Sequence, residues 1–92
     1  MTQIYYILRS RRDGNYLIAH PQPQKGYLLM FTEYADALSY LNTHSPAERD
    51  QFSVESLPHT QVSSLLKRWQ LQGIALVNDP LIPRVEFFSP GS

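Results

Sequence analysis

Three short stretches of this chain are apolar without a break: Ile4-Tyr5-Tyr6-Ile7-Leu8, Tyr27-Leu28-Leu29-Met30-Phe31 and Ile74-Ala75-Leu76-Val77. Each has the length of a strand, and successive strand side chains point to opposite faces of a sheet. A strand wetted on one side alternates, as Gln51 to Ser56 does with Phe52 and Val54. An unbroken run puts apolar groups on both faces and belongs in the middle of a sheet. The three runs are therefore predicted to be central strands, and the alternating one lies outside them.

The remaining elements follow from their punctuation. Gln3 to Leu8 runs into Arg12-Asp13-Gly14-Asn15, where Gly14 and Asn15 tolerate a positive φ. Tyr16 to Ala19 returns as a second arm, and Pro21 and Pro23 are expected to end it because they donate no ladder hydrogen bond. Thr32 and Glu33 suit a helix start, and Tyr34, Ala37, Leu38 and Leu41 follow at helical spacing. Asn42 and Thr43 end that helix. Ser45-Pro46-Ala47-Glu48 reads as a capping box for one helical turn. Thr60 opens a second helix with Val62, Leu65, Leu66 and Trp69 on one stripe, and Gly73 is expected to terminate it. Asn78-Asp79-Pro80 turns the chain, and Val85 to Phe88 is a last strand before a mobile Ser-Pro-Gly-Ser end from about residue 89.

The expected fold is thus α+β: a mixed, mostly antiparallel sheet of five or six strands in the order βββαβαββ, with two helices packed on one face. Without linker or repeat, residues 1–92 make one domain. At 42% hydrophobic and 17% charged residues the composition supports a packed core. Two helices of about ten residues cover roughly one face of such a sheet, given their ~10 Å diameter and a ~4.8 Å strand spacing. The second face would then need a partner, a second copy of the chain, or the segment from Asn78 to Ser92.

The composition removes several chemistries. Eight basic and eight acidic residues give no net charge, so no whole-molecule field attracts nucleic acid or an anionic membrane. The absence of cysteine excludes disulfides and thiolate sites and fits a reducing, cytoplasmic location. The first apolar run is too short, and its charge order wrong, for a signal peptide, and no run is long enough for a membrane span. His20, His44 and His59 lie on separate connections without ligand spacing, so no metal is expected. The glycines are too dispersed for a phosphate-cradling loop, no nucleophile elbow occurs, and no cofactor motif is present. Glu33 and Asp36 share a helix face, yet they stand in the first turn, where the helix dipole favours carboxylates.

One cluster invites a binding role. Arg9, Arg11 and Arg12 gather at the first hairpin with Tyr5, Tyr6 and Tyr16 nearby, a combination that holds phosphates and stacks single-stranded bases in other proteins. The zero net charge and Asp13 inside the cluster favour instead a solvated turn or a dock for an acidic protein patch. With Leu29, these residues form the candidate interaction set. The expectation is a non-enzymatic protein-interaction module or assembly factor of a cytoplasmic complex, acting through the second sheet face. The alternative is a small-ligand or single-stranded nucleic-acid binding domain using the hairpin.

The segments LLMFTEYADALSYL, FSVESLP and GIALVNDP resemble small proteins of unknown function found in cyanobacteria and chloroplasts. Leu29, Met30, Phe31, Asp36, Ala37, Tyr40, Val54 and Glu55 carry that resemblance. A looser likeness, to the N-terminal domain of SseB-type proteins, rests on Phe31-Thr32 and on Asn78 and Pro80, with Asp79 inserted between them. The resemblance implies a similar fold and a photosynthetic source, and brings no catalytic residues.

Overall fold

The computed structural model describes residues 3–44, 47, 49–79 and 84–88. The strands are β1 (Ile4–Ser10), β2 (Ile18–Gln22), β3 (Lys25–Phe31), β4 (Phe52–Pro58), β5 (Gly73–Asp79) and β6 (Arg84–Phe88), with helices α1 (Tyr34–His44) and α2 (His59–Arg68). They form one six-stranded mixed sheet ordered β4-β1-β3-β5-β6, in which β2 pairs with the first half of β3. Among the described residues only β3 and β5 pair in parallel; the other pairings are antiparallel. The three unbroken runs are the inner strands β1, β3 and β5, and the alternating one is the edge strand β4.

The helices do not share a face. Ala37 and Leu41 of α1 pack with Leu8, Leu29, Phe31, Ala75 and Val77, whereas Leu65 and Leu66 of α2 pack with Ile7, Leu28 and Met30. Neighbouring residues of one strand divide between these clusters, so α1 covers one side of the sheet and α2 the other. The reason is topological. β3 and β4 are parallel, since both run antiparallel to β1, and β5 is parallel to β3. The crossover through α1 runs out to β4, and the crossover through α2 runs back across the sheet to β5. Parallel crossovers keep a right hand, so a reversal of direction moves the second helix to the opposite face. Area arithmetic carries no information about this path, and the expectation of a single covered face fails for that reason.

Local boundaries differ from expectation around proline and glycine. β2 runs through Pro21, and the missing donor appears as a register irregularity between Ala19 and Gln22. α2 starts at His59, directly after Pro58, and ends before Gly73. Its end is a Schellman motif: the Gln70 amide donates to the Lys67 carbonyl at 3.2 Å and the Leu71 amide to the Leu66 carbonyl at 2.9 Å, with Gln70 left-handed at φ 55°. Gly73 instead begins β5. Of the expected turn at residues 45–48, Ser45, Pro46 and Glu48 lie outside the described residues, and a 3-10 turn, Arg49–Gln51, leads into β4. Asn78 and Asp79 belong to β5, while Pro80 and the tail from residue 89 lie outside the described residues.

The first hairpin turns as its residues require. Gly14 holds φ 76°, its amide donates to the Ser10 carbonyl, and the Asp13 carboxylate accepts from the Asn15 amide at 3.0 Å.

Candidate functional site

Buried strand residues cannot meet a partner, and that removes part of the expected set. Leu29 is sealed beneath α1 at 3% exposure, and its neighbours Leu28 and Met30 are sealed on the α2 side at 0%. Both faces of the sheet are covered at the middle of β3 within a single copy, while Phe87 and Phe88 of β6 stay exposed, one on each face. Leu29 and its neighbours are therefore closed to a partner.

The remaining members of the set do not converge. Tyr5 and Tyr16 pack on the α2 side, and Tyr6 on the α1 side. Arg9 is occupied within the hairpin: it donates to the Gly14 carbonyl at 2.9 Å, lies 5.2 Å from the centre of the Tyr16 ring, and faces Glu55 at 3.6 Å. Tyr16 meets Trp69 edge-on at 5.3 Å, so these aromatics are packing groups. Arg12 is exposed on the turn, and Arg11 borders a groove on the α1 side. The histidines stand apart, His20 in β2, His44 ending α1 and His59 opening α2. Among the described residues, no group of three or more potential ligands is placed to hold a metal. No helix among them is long and apolar enough to cross a membrane.

What the fold does bring together lies along β4. This strand pairs with β1 in one register from Ile4↔Pro58 to Ser10↔Phe52. In the same register the Arg11 amide donates to the Gln51 carbonyl at 2.7 Å and the His59 amide to the Gln3 carbonyl at 2.8 Å. Antiparallel pairs alternate between those that exchange backbone hydrogen bonds and those that do not. The odd-numbered residues of β4 therefore point their backbone groups at β1. Phe52, Val54 and Ser56 aim their N–H and C=O groups outward, and Pro58 aims its carbonyl. Proline at an outward position forfeits no ladder bond.

A groove opens on either side of this edge. On the α1 side, a cavity of about 320 Å³ is bounded by Arg11, Tyr34, Leu38, Leu41, Asn42 and, from the turn and strand, Asp50, Phe52, Ser53 and Val54. Tyr34 and Leu38 line it at 52% and 40% exposure, and the Tyr34 ring is braced edge-on by Tyr6 at 6.0 Å. On the α2 side, a cavity of about 290 Å³ is bounded by Glu55, Ser56, Leu57, Gln61, Ser64, Leu65 and Arg68 above Ile7 and Tyr16. Both grooves expose more polar than apolar surface.

No family model matches the chain, and neither does any curated protein or solved structure.

The edge left one trace in the sequence, the one-sided alternation from Gln51 to Ser56. The helix contributions were missed. Tyr34 and Leu38 fall on the helical stripe with Ala37 and Leu41, but only the latter two are buried. Gln61, Ser64 and Arg68 read as ordinary solvated helix positions.

Proposed function

We propose that this chain is a non-enzymatic protein-interaction module, an assembly factor of a cytoplasmic complex, that takes hold of its partner along the outer edge of β4. The observation that carries this reading is the row of outward backbone groups at Phe52, Val54 and Ser56, set between two grooves. An edge strand pairs readily with another extended segment. A hairpin site for nucleic acid has less support, because Arg9 is already held by Gly14, Tyr16 and Glu55.

Ser56→Pro tests the reading. Ser56 is exposed, and its amide faces away from β1, so proline there removes an outward donor and leaves the β1 ladder intact. In parallel selections from a displayed random-peptide library, the native chain is expected to enrich binders and Ser56→Pro to enrich none, while both keep the same far-ultraviolet circular dichroism. Equal enrichment on both proteins, or none on the native chain, refutes edge docking.

A further inference from the structure

Resting on the edge-docking reading, we infer that the partner at the β4 edge is a second copy of this chain, paired strand to strand about a two-fold axis at Val54. Identical strands related by such an axis run antiparallel, and residues opposite each other stand on the same face of the joined sheet. The outward backbone groups of Phe52, Val54 and Ser56 are spaced evenly about Val54. Phe52 then meets Ser56 of the second copy, Val54 meets its own counterpart, and each such pair exchanges both of its backbone hydrogen bonds. The edge is its own complement.

Charge and proline select this register. Ser53 and Glu55 alternate with the outward residues and turn their side chains to the α2 side, and here each Glu55 faces a neutral Ser53 of the second copy. Sliding one copy along the seam in one direction sets Glu55 against its own counterpart, and like charges directly opposite destabilise a strand pair. The same slide places Phe52 against Pro58, which has no amide to donate. The opposite slide carries Ser56 past the strand to Asp50, in the 3-10 turn. The free edge at β6 is less suited, because pairing Arg84–Phe88 with itself over its full length puts Glu86 on the axis. On the α1 side the β4 seam gathers Phe52 and Val54, and the exposed Tyr34 and Leu38 line the groove beside it. No net charge holds two copies apart.

The chain has no cysteine, so single introduced cysteines report the axis directly. By sedimentation equilibrium the native chain is expected to be a reversible dimer, and Ser56→Pro to dimerise about tenfold or more weakly, because each copy loses an outward donor. Phe88→Asp, on the β6 edge, is expected to dimerise like the native chain. Under mild oxidation Val54→Cys is expected to give a disulfide-linked dimer, since the Cα atoms of a hydrogen-bonded antiparallel pair lie about 5.5 Å apart, within disulfide reach. Ser53→Cys and Glu55→Cys, which do not meet themselves, are expected to stay unlinked. A link that forms at Ser53 or Glu55 instead, or a dimer lost in Phe88→Asp and kept in Ser56→Pro, overturns the inference. A native chain that stays monomeric at millimolar concentration overturns it too. In that case library binders that fail on Ser56→Pro would leave edge docking standing without the second copy, and a library without binders would remove both.

Discussion

Leu28 and Leu29 are the same residue type, adjacent in the same inner strand and equally buried, at 0% and 3% exposure, yet they belong to clusters on opposite sides of the sheet. Truncating each to alanine in turn measures the two cores separately. Full burial of a leucine contributes about 1.5–3 kcal/mol, and the unrelaxed cavity adds ~24 cal/mol per Å³, so a loss of about 3 kcal/mol is expected at either position. At ~0.05–0.15 kcal/mol per residue, a chain of 92 residues has about 5–14 kcal/mol to lose. Each single variant should therefore stay folded, while the double variant approaches unfolding. The assay is guanidinium unfolding followed by circular dichroism. With m near 2–3 kcal/mol/M, each substitution should lower the midpoint by about 1–1.5 M at unchanged slope. A loss below about 1 kcal/mol for Leu28→Ala beside ~3 kcal/mol for Leu29→Ala would refute the two-sided core and restore a bare sheet face.

Three further outcomes are expected. Gln70→Gly should stabilise the chain by about 0.5–1 kcal/mol in the same assay, because glycine relieves the left-handed φ of 55° at a smaller entropic cost, and a loss of stability would contradict the Schellman geometry. The Asn15 amide, foremost, holds the Asp13 carboxyl below its ordinary 3.8, so its contribution is complete above that value and disappears as pH falls through the lowered one; a titration of the Asn15 amide resonance with a midpoint at or above 3.8 would refute it. Burial raises Tyr40 above its ordinary 10.0, so its contribution is intact below pH ~10 and is lost as pH rises through the raised value. In an absorbance titration at the phenolate band, Tyr40→Phe should remove a component that rises above pH 10; a difference between the two curves centred at or below pH 10 would count against it.

Strand identity was legible wherever both faces of the strand are buried, because burial on both sides leaves no room for polar residues. That is why Ile4 to Leu8, Tyr27 to Phe31 and Ile74 to Val77 mark β1, β3 and β5 directly, and why the alternation through Phe52 and Val54 marks an edge. The side taken by each helix was not legible, since it depends on the direction of each crossover and hence on a strand order that no local pattern records. The end of α2 misled because Gln70 takes the left-handed position usually given to glycine, with Gly73 available close by as a decoy. The candidate site was legible only in its strand. Leu29 resembles an interaction residue in sequence because its apolar neighbours imply a shortage of cover, and α1 supplies that cover. The walls of the grooves are set by how far each helix stands from β4, a distance that the spacing of Tyr34, Leu38 or Arg68 does not encode.

The position of β1 has a consequence for small molecules. β3 and β4 run parallel and send their chains to opposite sides of the sheet. Were they neighbours, their carboxyl ends would splay into the crevice where open α/β sheets seat nucleotides and other cofactors. β1 runs between them in the opposite sense and plugs that opening with Tyr6 and Ile7, paired to Phe31 and Met30. The crevice that a parallel β3–β4 neighbourhood would open is thus occupied by a strand of the same sheet.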